Sequence, residues 1–91
     1  MIISNKGYSI KKLVKKDVTT TEGNEDINGN TVYLHNAGSA AIYIDKVTGV
    51  DNTKWELAAG EKLGPIVFKG KIYFVGANTS TLKILFADGI V

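Results

Sequence analysis

The sequence predicts an all-β fold, a small antiparallel β-sandwich of jelly-roll-like type with about six to eight strands. Three observations carry this expectation. From Asn30 onward apolar and polar residues alternate in short runs, as in Val32-Tyr33-Leu34-His35, which is the period of a half-buried strand. Turn-forming clusters interrupt those runs roughly every 8–12 residues, the spacing of sandwiches and barrels. No stretch sustains the apolar period of a helix.

Taken in order, "GYSIKKLVKK" reads as a short amphipathic helix or an edge strand, the strand being preferred because its lysines would discourage unwanted pairing. "DVTTTEGNEDINGN" opens with a β-prone run from Val18 to Thr21. It then dissolves into Gly, Asn, Glu and Asp, the composition of a mobile acidic loop. "TVYLH" alternates, "NAGS" at 36–39 turns, and "AAIYIDKV" returns. After the turn "TGVDNT" come a short strand "KWELAA", a sharp bend "AGEKLGP", a brief strand "PIVF" and a last hairpin from Lys71. The expected division is therefore a lysine-rich arm or edge strand with an acidic loop at 1–29, and a sandwich core at 30–91.

Residues 31–45, "TVYLHNAGSAAIYID", lie over 71–85 of the stretch "KIYFVGANTSTLKILF" (71–86) at an offset of 40 without a gap. Both stretches read as hairpins. An isolated hairpin is marginal in water. Two can close a core if Val32, Leu34, Ile42 and Ile44 face Ile72, Phe74, Leu82 and Ile84.

Composition narrows the function. The 91 residues suit one domain with a modest core. The absence of cysteine removes disulfides, thiolate metal sites and cysteine nucleophiles, and makes oligomerisation a natural supplement to stability. No apolar run has the length of a membrane span, and the lysine-interrupted start lacks a signal-peptide core. Synthesis in the cytoplasm is expected.

Lys6, Lys11, Lys12, Lys15 and Lys16 precede any acid, whereas Asp17, Glu22, Glu25 and Asp26 follow with no base among them. All 11 basic residues are lysine, so bidentate arginine recognition is absent. Lys11, Lys12, Lys15 and Lys16 are the candidate partner-binding residues. With Tyr8 the only aromatic among these early lysines, nucleic-acid binding is poorly supported.

No constellation of catalytic type is legible. His35 is the single histidine and sits on a predicted strand. Ser39 lies in a turn without a nucleophile-elbow pattern. Glu25 and Asp26 are adjacent in the predicted loop and do not form a preorganised acid–base pair. "DINGN" matches the first ligand positions of a calcium loop at Asp26, Asn28 and Asn30. The match fails at Thr31 and Ala37, where glycine and glutamate are needed. No phosphate-binding glycine motif occurs. The expectation is no enzyme, no metal and no cofactor. Tyr33, Tyr43, Trp55 and Tyr73 are candidates for a subunit interface or for glycan stacking. The apolar end "GIV" points to docking as well.

The stretch Asn30–Phe86 resembles small β-rich structural proteins of tailed bacteriophages, of capsid-decoration or head-fibre type. The resemblance rests on the opening Val32, Leu34, Asn36 and Gly38, the return Ile42-Tyr43-Ile44, the turn Leu57–Glu61, and Gly70, Ile72 and Tyr73 at the last hairpin. It covers about two thirds of the chain and leaves out the lysine-rich start. "VGANTS" and the proline in "KLGPIVF" depart from the pattern. The resemblance implies a non-enzymatic virion protein, present in many copies, bound to capsid or other virion proteins and homo-oligomeric, with a trimer as one candidate state. The alternative is a carbohydrate-binding or receptor-adhesion module with Tyr43 and Trp55 as its platform.

Overall fold

A computed structural model describes residues 10–87. Among the described residues there are eight strands and no helix: β1 Ile10–Val18, β2 Gly23–Asp26, β3 Thr31–Asn36, β4 Ile42–Asp45, β5 Trp55–Leu57, β6 Lys62–Val67, β7 Lys71–Gly76 and β8 Ser80–Ala87. They form two four-stranded antiparallel sheets, β1-β8-β3-β6 and β2-β7-β4-β5, here the first and second sheet. Each of the first four strands pairs with one of the last four, β1 with β8, β2 with β7, β3 with β6 and β4 with β5. That nesting is the wrapped ribbon of a jelly roll. The fold is a small β-sandwich.

The repeated segments differ from expectation in one respect. β3 and β4 do not pair with each other, nor do β7 and β8, because the partners of each couple lie in different sheets. Each is an arch, not a hairpin. The two arches instead pair along their whole length, Leu34 with Ile84 in the first sheet and Ile44 with Phe74 in the second. The corners continue the same register, with Ala37 N donating to Thr81 O at 2.8 Å and Ala77 N to Ala41 O at 3.0 Å. The repeat is thus one two-stranded ribbon folded over at its middle.

The burial expected of the eight apolar residues survives this change, but the facing does not: Val32, Leu34, Leu82 and Ile84 belong to the first sheet and Ile42, Ile44, Ile72 and Phe74 to the second. Val32, Leu34, Ile42, Ile44, Ile72, Phe74, Leu82 and Ile84 are all at most 4% exposed and form the core with Phe86, Leu57, Val18 and Ile27. Burying each such aliphatic or aromatic side chain is worth about 1.5–3 kcal/mol.

The segment before residue 30 departs from its reading as a loop. Gly23–Asp26 is a strand, although it carries no apolar side chain, because β7 offers an open edge for backbone pairing. Val18 and Ile27 are 1% and 0% exposed, so a boundary at residue 30 cuts through the core. Lys16 and Glu25 meet at 3.2 Å and link β1 of one sheet to β2 of the other. Asn28 and Gly29 take positive φ of 57° and 77°, and Asn30 N donates to Ile27 O at 3.0 Å. This is the Asn-Gly turn of primed type.

At one end of the sandwich Asn36 is fully buried and saturated. Its Nδ2 donates to Ala40 O at 2.7 Å and Leu57 O at 2.8 Å, while Oδ1 accepts from Gly38 N at 3.1 Å and Ser80 Oγ at 2.8 Å. Elsewhere the Glu22 carboxylate organises the loop after β4. It accepts from Thr48 Oγ1 at 2.6 Å, Gly49 N at 2.8 Å and Val50 N at 2.9 Å. The Thr48 hydroxyl, followed by the two backbone donors, holds its pKa below the ordinary carboxylate value.

Candidate functional site

The outward face of the first sheet is built by register. Inward Val14, Ile84, Leu34 and Leu63 alternate with outward residues on β1, β8, β3 and β6. Lys15 stands opposite Lys83, Lys83 opposite His35, and His35 opposite Lys62. Four basic side chains therefore form one row across the entire sheet, with neighbours about 4.8 Å apart along the pairing direction. Two residues along the strands, a distance of about 6.7 Å, lies a parallel apolar row. Leu13 is opposite Leu85, and Leu85 is opposite Tyr33.

At the far end of the apolar row β6 bulges. The pairing of β3 with β6 shifts between Val32 and Leu34, and the bulge carries Gly64 and Pro65, joined by a cis peptide. Gly64 has φ of 144°, and a Cβ there would lie 2.9 Å from both Tyr33 Cδ2 and Val32 O. Only glycine lets β6 approach Tyr33 so closely. The bulge turns the face into an open concavity of about 750 Å³, lined by Leu13, Tyr33, Pro65 and Leu85 with Lys62 and Lys83 at its border.

This arrangement is unusual energetically. Like charges directly opposite one another across strands are unfavourable. Leu13 is 61% exposed. Three lysine cations, with the His35 imidazole between Lys83 and Lys62, aligned beside an apolar row make a surface that can hold a partner carrying carboxylates next to its own apolar side chains.

The four lysines proposed from sequence separate. Lys15 belongs to the row described above. Lys16 is ion-paired with Glu25 on the inner side of β1. The Lys12 ammonium sits 4.7 Å from the centroid of the Phe86 ring. Lys11 donates to Asn30 Oδ1 at 2.9 Å. Period-two alternation distributes a lysine-rich strand over two faces, so the segment is not a single basic patch.

The aromatic candidates separate too. Tyr33 lies on the outward face of the first sheet. Tyr43 and Tyr73 are diagonal neighbours on the outward face of the second, since Tyr43 opposes Val75 and Tyr73 opposes Asp45. Trp55 opposes the buried Ile44 and is 62% exposed. It borders an apolar groove of about 390 Å³ with Leu63, Ile66 and Phe68, where β5 and β6 end their sheets. Tyr43 and Trp55 point to opposite sides of their sheet and do not make one platform. "GIV" at the chain end lies outside the described residues.

The remaining sequence candidates have structural partners. Asn30 Nδ2 donates to Ile27 O at 2.8 Å, which commits the third position of the calcium-like pattern to its own turn. Glu25 and Asp26 alternate to opposite faces of β2. Among the described residues no three His, Asp or Glu side chains gather as metal ligands. Sequence reasoning missed Lys62, Lys83, Leu13, Leu85 and Pro65 as members of one surface. Their signal is cross-strand register, which becomes readable only once the pairing of β1 with β8 and of β3 with β6 is known.

No protein-family model matches the chain, and no curated protein matches it significantly. Among solved structures it is similar to the conserved SPY1581 protein of unknown function from Streptococcus pyogenes. The TM-score is 0.52 at 11% identity, over 96% of this chain and 79% of that one. At that identity the likeness concerns the fold alone.

Proposed function

We propose that the protein is a non-enzymatic virion structural protein that binds or decorates a phage capsid through protein–protein contacts. The observation that supports this reading is the outward face of the first sheet. It presents the exposed Leu13 and Pro65 and the half-buried Tyr33 and Leu85 beside a continuous basic row, the chemistry of a docking surface. The resemblance of Asn30–Phe86 to small phage structural proteins supports it from the sequence.

The mechanism is burial of the apolar row against a neighbouring subunit, which stabilises the assembled state by mass action. Single exposed ion pairs contribute little, so the effect depends on many copies acting together. In this reading the protein also self-associates. Light scattering across a hundredfold concentration range should report a stable oligomer, with a trimer as the leading state.

The direct test is quantitative peptide counting on particles purified from cells that produce the protein. Many copies per particle are expected. Complete, infectious particles without the chain would refute the reading.

A further inference from the structure

We infer that the basic row and the apolar row of the first sheet act as one site for an acidic polypeptide segment that carries leucine-like side chains beside its carboxylates. This rests on the docking role proposed above and names the chemistry of the partner.

The charge sets the first condition. Lys15, Lys83, His35 and Lys62 form consecutive cross-strand pairs, and no acidic side chain interrupts their row. A partner must therefore bring negative charge in a line, and carboxylates in series satisfy it. Lysines are point charges without the planar fork of arginine, which suits carboxylates presented at variable angles.

The parallel row selects among anionic partners. A nucleic acid or a sugar polymer needs flat aromatic faces on which to stack. Here Tyr33 is the one aromatic in the row, and Leu13 and Leu85 occupy the rest of it up to the bulge at Pro65. Aliphatic leucines complement aliphatic side chains, which among biological polyanions belong to polypeptides.

The experiment titrates the isotope-labelled full chain with two probes and follows backbone amide signals. One probe is poly-L-glutamate. The other is a peptide of about 14 residues with leucines at i, i+3, i+4 and i+7 and glutamates flanking them. The peptide should perturb amides around Leu13–Lys15, Tyr33–His35, Lys62 and Lys83–Leu85, and should bind about tenfold more tightly than poly-L-glutamate, a difference of about 1.4 kcal/mol. Lys83→Glu should abolish binding of both probes. Leu13→Ser should remove the advantage of the leucine peptide and leave poly-L-glutamate binding unchanged. Leu85→Ser is a second variant for the same point, and urea midpoints check that every variant folds.

Equal binding of the two probes would overturn the joint site. So would perturbations confined to another face, or tighter binding of heparin or single-stranded DNA at this one. The outcome is separable from the virion reading. Loss of the peptide site with normal incorporation into particles refutes this inference alone. An intact peptide site in a chain absent from particles refutes the virion role alone.

Discussion

Ser80 donates its hydroxyl hydrogen to Oδ1 of Asn36 across 2.8 Å, inside the protein and 44 positions later in the chain. The bond fastens β8 to the corner that follows β3. The other three side-chain bonds of Asn36 reach Gly38, Ala40 and Leu57, so one amide ties together two arms of the ribbon and the end of β5. Asn36→Ala leaves Ser80 Oγ and the carbonyls of Ala40 and Leu57 without their partner. The expected loss is about 2–4 kcal/mol, read as a lower urea midpoint. Combined with Ser80→Ala in a double-mutant cycle, a coupling of about 1 kcal/mol is expected for the single bond. Strict additivity would contradict the shared bond.

Gly64 and Gly70 both have positive φ, at 144° and 103°, but only Gly64 is crowded. Gly70→Ala meets nothing within 4 Å and should cost about 1–2 kcal/mol from conformation alone. Gly64→Ala adds a collision with β3 and should cost about 3 kcal/mol. It should also shift the amide signals of Val32 and Tyr33. Equal costs at the two sites would mean that β6 relaxes away from β3 without penalty.

The bonds to Glu22 make the loop after β4 sensitive to acid. Its folded pKa is depressed below the ordinary 4.5, first by Thr48 and then by the backbone of Val50 and Gly49. The stabilisation is complete above that ordinary value and is lost as pH falls through the lower folded value. Amide exchange at Gly49 and Val50 should accelerate in that acidic window. Glu22→Gln should remove the pH dependence there and loosen the loop at neutral pH. An unchanged acid profile in the variant would assign the transition to another carboxylate, of which Asp51, bonded to Thr53, is the next candidate.

Neighbouring lysines should behave differently. Lys15→Glu relieves repulsion with Lys83 and should leave stability unchanged or raise it by a few tenths of a kcal/mol. Lys16→Ala breaks a partly exposed ion pair with Glu25 and should cost about 0–1 kcal/mol. Paired urea curves decide this. The reverse ranking would mean that the Lys15–Lys83 repulsion and the Lys16–Glu25 attraction do not set the stability of this strand.

The core was legible because its residues alternate strictly. Val32, Leu34, Ile72 and Phe74 are buried for the reason their spacing suggests. The connectivity was not legible, because alternating strands on either side of a short turn look alike whether they pair or cross to the opposite sheet. The distinguishing residue, Asn36, reads as an ordinary turn former until its four hydrogen-bond partners are seen. β2 was hidden by its composition, since a strand held by backbone bonds needs no apolar side chains. β6 was shortened on paper by Pro65, which the bulge accommodates. The basic row escaped because its lysines and histidine come from four strands distant in sequence, whereas the conspicuous lysine run lies on one strand and divides between faces.

β8 lies inside the first sheet, with β1 on one side and β3 on the other. Of the eight strands it is the last in sequence. Until it emerges, β1 and β3 have no common neighbour, and β7 arrives only just before it to join β2 to β4. Until β8 is present, Val32 and Leu34 lack the strand that lies beside them in the first sheet, and contacts so distant in sequence form slowly. A chain ending before Ser80 would hold all four strands of the second sheet but lack the strand that joins β1 to β3, so the first sheet would stay split and its inner face only partly covered.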